Sequence, residues 1–401
     1  MRISNSVTKS ETKKPQKKHI ILKTLGILFG LLVVAALCIY LFVLQYPNLK
    51  ENPKIDTWYR VTSSEMKSSD GSSYRAFFKK GSANKVIVYF AGGGVSVNEE
   101  MAKDETYNTK EIPIDILANL TMNMGGIATA TDTNPFKDWT IIEFPYATGD
   151  FHAGTGEFKY IDKKGKEKIL YHNGYTNYSL VMKQVMQLAG IDHAEDVLVT
   201  GYSAGGFGAA LLADDVFTNY FPNANSKTVL ADASLLLNKN WHDIATNVWK
   251  TPVQIANRLT TNNITLDSLT ALHKKYGDQV HILFDSSTRD GDLAKVQNYF
   301  DTGVMDVNEA KADIYQKNLK TMIHEIKNQA GGYLFIWDGL PWYDDPRNLT
   351  MHTIIATPYI FAPFDGQDIS VSEWLKNAVD GHLQDYGLDL VDKQYYLGRK
   401  S

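Results

Sequence analysis

Cysteine is nearly missing from this 401-residue chain: there is one, Cys38. A lone thiol excludes any intrachain disulfide and any thiolate metal cluster. A domain displayed on the oxidising side of a membrane would have to be held by its core alone, and a chain of this length can bury one of sufficient size.

Charge is missing from one long stretch. TLGILFGLLVVAALCIYLFVL, residues 24–44, contains no Asp, Glu, Lys, Arg or His. About 20 apolar residues at helical rise cross a bilayer core. The flank before it carries Arg2, Lys9, Lys13, Lys14, Lys17, Lys18 and Lys23 against one acid, Glu11. That bias keeps the N-terminus cytoplasmic and sends the C-terminal remainder of the chain outside. A cleaved signal peptide has a shorter apolar core and a small-residue cleavage site, and QYPNLKENP after the run offers no such site. A lipoprotein reading at Cys38 is opposed by the bulky Leu37 before it. The expectation is a single-pass anchor: residues 1–23 a basic cytoplasmic tail, 24–44 a transmembrane helix, and the remainder at the extracellular face of the cell membrane.

A basic excess is missing beyond that anchor. Seven of the 41 basic residues and one of the 45 acidic residues lie before it, which leaves 34 basic against 44 acidic. A domain so acidic is a poor nucleic-acid binder. No repeat of fixed period is present. Phosphate-loop chemistry is also absent: Gly92-Gly93-Gly94 is followed by no Lys-Ser or Lys-Thr, and no G-x-G-x-x-G with an acidic ribose partner occurs.

Short β-branched and aromatic runs are abundant. They are VIVYF (86–90), TIIEF (140–144), DVLVTG (196–201), TVLAD (228–232), VHILFD (280–285) and YLFIW (333–337). Runs apolar nearly throughout fit strands buried on both faces of a parallel sheet. Helical patterns lie between them, with Val181, Val185 and Leu188 on one face of 177–190, and Ile314, Leu319, Met322 and Ile326 on one face of 312–329. Alternating strands and helices predict an α/β fold, a mostly parallel sheet with helices on both faces. Residues 45–75, polar and Ser-rich, read as a stalk, and 76–401 as the catalytic domain. Ligands in such folds bind beyond the carboxyl ends of the strands.

Four pieces of chemistry sit at those ends. Gly201-Tyr202-Ser203-Ala204-Gly205 follows DVLVTG and precedes a helical pattern, which is the nucleophile-elbow arrangement. There Ser203 is a candidate nucleophile, and the Ala204 N–H at the helix start is a candidate oxyanion donor. The second piece is Gly92-Gly93-Gly94 after VIVYF, where backbone can approach a substrate closely. The third is an acid: Asp285 stands nearest the strand end, Asp290 could cap a turn, Asp292 could cap the next helix, and Asp232 is an earlier rival. The fourth is a base. By the order Ser…Asp…His, and with His324 set aside in a helical pattern, the eligible histidines are His352 in LTMHTIIA and His382 near the C-terminus, with His352 preferred. Trp337, Trp342 and Tyr343 form an aromatic group that suits either packing or a substrate wall, and packing is the commoner use.

These pieces together resemble the pectin acetylesterase and Notum family of serine carboxylesterases. The resemblance rests on VYFAGGGVS, FPYATGDFHAG (144–154), VTGYSAGGFGAALLADDV with LADASLLL after it, LFDSSTRDGD and MHTII, in that order. It covers roughly residues 75 to 360. It implies an α/β-hydrolase-like fold, with Ser203 as nucleophile, Asp285 as acid, His352 as base, and Gly93, Gly94 and Ala204 as oxyanion donors. It also implies hydrolysis of O-acyl esters, above all O-acetyl esters on carbohydrate, without a metal or organic cofactor. The chain departs from the family in two ways. Plant and animal members are cysteine-rich, and Gly94 replaces an aromatic residue of the oxyanion loop. The resemblance leaves acyl length open. A lipid esterase or other acyl-ester hydrolase, and a catalytically silent surface binding protein of the same fold, are the alternatives.

Overall fold

The computed structural model describes residues 16–340, 345–364 and 366–395. Most of the basic flank, and Trp342 and Tyr343, lie outside them.

An eight-stranded sheet organises the described residues. Its strands are β1 Trp58–Lys67, β2 Ser73–Lys79, β3 Lys85–Phe90, β4 Thr140–Phe144, β7 Asp196–Tyr202, β8 Ser226–Asp232, β9 Val280–Ser287 and β10 Tyr333–Trp337. They lie in the order β1-β2-β4-β3-β7-β8-β9-β10. β4, β3, β7, β8, β9 and β10 pair in parallel, while β1 and β2 add an antiparallel edge. A separate hairpin, β5 Gly156–Ile161 with β6 Glu167–His172, projects from the loop after β4.

Alternation along the strands feeds two cores. Val86, Val88 and Phe90 of β3 point into the larger, against Tyr178, Val181 and Leu211 of the helices Gly174–Ala189 and Ala204–Asp215. Ile87 and Tyr89 point into the smaller, closed by Trp374 and Leu375 of the helix Val371–Val379 and by the loops around Phe136 and Ile354. Both faces are covered, and for that reason the central strands are apolar throughout.

All six expected strands are present. Within the 312–329 pattern, however, Ile314 is exposed and the buried stripe runs through Ala312, Tyr315, Leu319 and Met322. The expected stalk at 45–75 also fails as a description. Residues 58–67 and 73–75 belong to the sheet, and Tyr59, Val61, Met66 and Tyr74 are core. The polar half of β1 faces solvent at the sheet edge, and this gives the segment its stalk-like composition.

Ahead of the domain, the helix Gln16–Phe42 contains a span, Leu22–Phe42, long and apolar enough to cross a membrane, and that span is not buried against the domain. The exit from it is tied down: the Tyr46 N–H donates to Asp115 Oδ2 at 2.8 Å, and the Ile116 N–H to the Leu44 carbonyl at 3.3 Å.

Candidate active site

The elbow begins where β7 stops. Ser203 has φ +54° and ψ −124°, a conformation that costs energy in an L-residue and persists only where surroundings enforce it. Close packing enforces it here. A Cβ at Gly205 would stand 1.9 Å from the Phe90 carbonyl oxygen, and one at Gly201 would stand 2.3 Å from that of Gly205. Only glycine lets β3, β7 and the helix Ala204–Asp215 meet this tightly. The Ser203 N–H donates to the Asp232 carbonyl at 3.0 Å, and its own carbonyl accepts from Gly206 and Phe207. Ala204 opens the helix, so its N–H lies in the first turn, where no intrahelical acceptor exists.

The glycine loop after β3 faces the elbow. Gly94 has φ +84°, and a Cβ there would lie 2.2 Å from the Thr106 carbonyl oxygen. The Gly93 carbonyl is engaged by the Asn108 N–H at 2.8 Å, which fixes the orientation of the peptide after it. Gly93, Gly94 and Ala204 thus border one cavity together with Ser203 and His352.

His352 lies in the loop beyond β10, and its Nδ1 is 2.5 Å from Asp290 Oδ2. Asp290 also caps the helix Gly291–Thr302: its Oδ1 accepts from the N–H groups of Asp292 and Leu293 at 3.0 and 2.9 Å. Burial pulls the His352 imidazole down, but the Asp290 charge and hydrogen bond, with Asp292 and Asp232 nearby, outweigh it and raise the pKa to about 9.

The expected partnership of Asp285 with His352 is therefore corrected. β9 runs on to Ser287, so Asp285 is still inside the sheet, fully buried, with its Oδ2 3.4 Å from Trp337 Nε1. Asp290 falls after the strand, where the chain has turned toward the histidine loop. Asp292 is exposed and lines the cavity. Asp232 sits beside Asp285 in the register of β8 and β9, and its Oδ2 accepts from the Ile354 and Ile355 N–H groups at 2.9 and 3.0 Å. His382 is exposed and away from the cavity. Trp337 is core, stacked on Phe364 at 4.9 Å.

The cavity encloses about 450 Å³. Much of its wall is apolar, built from Phe151, Phe207, Leu236, Leu293, Val296 and Met305, with Asp292 and Lys295 also lining it. Sequence reasoning misses this wall. Phe151 stacks on Phe207 at 4.2 Å, held by a loop in which the Asp150 carboxylate accepts from Thr148, His152, Gly154 and Gly174. The segment 144–154 is readable as a loop, but the inward turn of Phe151 depends on its φ of +50°, which no pattern announces. Among the described residues, no group of three or more His, Cys, Asp or Glu side chains is placed to hold a metal ion.

A parallel-sheet core with a strained serine at a strand-to-helix turn, facing a histidine on a later loop, defines an α/β-hydrolase-like protein. The model of the pectinacetylesterase family matches residues 55–272, more than half of the chain, and the chain belongs to that family. Pectin acetylesterase 4 of Arabidopsis thaliana is 24% identical over 181 residues, a match spanning 42% of this chain and 41% of that protein's length. Two crystal forms of the Wnt deacylase Notum from Drosophila share the fold. One aligns over 84% of this chain and 96% of its own with a TM-score of 0.57 at 15% identity, the other over 85% and 96% with 0.55 at 14%.

Proposed function

We propose that this protein is a membrane-anchored serine carboxylesterase whose catalytic domain, residues 76–401 with the sheet-edge strands before it, faces the extracellular side. One observation carries the reading most directly: Ser203, held at a strained elbow, shares a cavity with a histidine whose Nδ1 is fixed by a buried aspartate.

In this mechanism His352 Nε2 takes the Ser203 proton as Oγ attacks the ester carbonyl. Asp290 holds the ring tautomer and stabilises the imidazolium. The N–H groups of Gly93, Gly94 and Ala204 receive the oxyanion. His352 then protonates the leaving alcohol, and water activated by the same ring releases the acid from Ser203. Every proton and electron pair in these steps is handled by the chain's own residues.

The first candidate substrate is an O-acetylated carbohydrate, by kinship with a protein named as a pectin acetylesterase. A second reading, hydrolysis of longer acyl esters, is favoured by the cavity, because about 450 Å³ with an apolar wall exceeds what an acetyl group fills. The structural relative titled a Wnt deacylase fits either reading.

The test uses the full-length chain in detergent with a fluorophosphonate probe and a series of acyl esters from acetyl upward. Covalent labelling and turnover in the wild type, both lost in Ser203→Ala, are expected. Labelling or turnover that persists unchanged in Ser203→Ala would overturn the assignment. A wild type inert to both would leave only the surface binding-protein reading.

A further inference from the structure

A buried acid pair stands behind the site and takes no part in the chemistry above. Asp232 ends β8 and Asp285 lies directly beside it on β9, both fully buried. Paired in register on parallel strands, the two side chains stand side by side on one face of the sheet. Asp232 Oδ1 and Asp285 Oδ1 are buried with no hydrogen-bond partner among the described residues. Two carboxylates cannot both ionise in a dry core at such proximity, so one must keep its proton.

The surroundings decide which one. Asp232 Oδ2 accepts two backbone N–H bonds, from Ile354 and Ile355. Asp285 Oδ2 receives one long contact from Trp337 Nε1. Two short amide donors stabilise a charge that one distant indole does not. Burial, and then the neighbouring Asp232, push the Asp285 carboxyl well above the ordinary carboxylate range.

Asp232 also touches both halves of the site. Its carbonyl accepts the Ser203 N–H, and its carboxylate grips the turn just after His352. Thr353, between them, has φ +62°, a genuine outlier for a β-branched residue. Such a turn persists only where it is held.

We infer that Asp232 is a positioning residue: its carboxylate, kept as the single charge of the pair by a proton resident on Asp285, clamps the strained Thr353 turn and thereby sets the direction of His352. The proton on Asp285 donates to Asp232 Oδ1, which satisfies both orphaned oxygens. The inference rests on the esterase reading for its kinetic consequence but not for its electrostatic one. The other titratable groups that face the pair are Tyr89 from β3, Tyr202 from β7, Tyr315 from the helix Glu309–Glu325, and Asp290 and His352.

The experiment compares Asp232→Asn and Asp285→Asn in the full-length chain. Two readings are taken: kcat and KM on a short acyl ester, and the titration of His352 by NMR of selectively labelled histidines, assigned with His352→Gln. Asp285→Asn keeps a donor toward Asp232 and leaves the charge in place, so the His352 midpoint holds and kcat stays within about threefold. Asp232→Asn moves the charge onto Asp285, further from the histidine loop. The His352 midpoint then falls, and kcat falls at least about tenfold with KM little changed, as expected when orientation is lost. A His352 midpoint unmoved by Asp232→Asn, or lowered equally by both variants, overturns the inference whether or not the protein hydrolyses esters. Wild-type hydrolysis failing while the midpoint shifts as expected would instead fault the esterase reading alone.

Discussion

Asp290 serves two masters: one oxygen holds His352 Nδ1 at 2.5 Å and the other caps the helix Gly291–Thr302. The dual role gives a clean test. Asparagine caps a helix as well as aspartate does, so Asp290→Asn should keep the helix Gly291–Thr302 and cost little stability above pH about 9, where the pairing with His352 no longer contributes. It should still lower kcat by about 10³- to 10⁴-fold, because the amide favours the wrong imidazole tautomer and cannot support the imidazolium. Steady-state kinetics alongside a thermal melt check this. A large loss of melting temperature with full activity in the surviving folded fraction would contradict it.

The same contact sets a pH dependence. The base must be neutral to take the Ser203 proton, and His352 is raised to about 9. kcat/KM should therefore climb with pH up to that region, and Asp290→Asn should move the limb toward the ordinary histidine range. Stability runs the other way. A histidine raised from its unfolded value near 6.5 contributes fully below that value, and the contribution is lost as pH rises through about 9. Melting temperature should decline across that window, less steeply in Asp290→Asn. A kcat/KM profile flat from pH 6 to 10 would argue against His352 as the base.

Much of this architecture is legible in the sequence for physical reasons. Strands buried on both faces must be apolar throughout, so all six parallel strands announce themselves. β1 does not, because an edge strand with one wet face mixes Ser, Lys and Glu with its buried residues, and β2 does not, because Ser73, Arg75 and Lys79 interrupt its apolar run. The Ser203 elbow is readable because glycines at 201 and 205 are forced by contact with β3 and the helix start. The aspartate that contacts His352 is misread on a narrower point. Whether β9 ends at Asp285 or at Ser287 decides which carboxylate leaves the sheet, and strand ends are weakly encoded locally. The role of Asp232 is hidden because its partners, Ile354 and Ile355, lie more than 120 residues away.

Gly205 should tolerate no side chain. Its missing Cβ would stand 1.9 Å from the Phe90 carbonyl, at the end of the strand that feeds the glycine loop. Gly205→Ala must push the elbow and β3 apart, at a cost of about 3 kcal/mol. Denaturant melts should register that loss, and fluorophosphonate labelling of the remaining folded protein should slow. An alanine variant as stable and as reactive as the wild type would mean that the tight packing is not required.

The N-terminal helix should behave as an anchor. If its apolar span Leu22–Phe42 is an uncleaved anchor, the protein should resist alkaline carbonate extraction, and the basic flank should keep the N-terminus inside. Protease added to intact cells should then remove the catalytic domain and spare an N-terminal tag. Release of full-length protein by carbonate, or cleavage of the tag in intact cells, would contradict the topology.

Val296 offers a way to measure acyl length without touching the chemistry. It is half-buried on the cavity wall, on the helix that Asp290 caps, and away from Ser203, His352 and the glycine loop in sequence. Val296→Trp takes up part of the apolar space of the cavity without changing a residue of the proposed catalytic set. If the cavity holds an acyl chain, turnover of esters of eight or more carbons should fall about 10- to 200-fold relative to acetyl, the range that pocket contacts of this kind command. Acetyl turnover should change little, because a two-carbon acyl group fills only a small part of a cavity of about 450 Å³. The ratio of the two kcat/KM values reads the effect independently of expression or stability. An equal loss for acetyl and long-chain esters would place the acyl group elsewhere and leave the cavity to the alcohol half of the substrate.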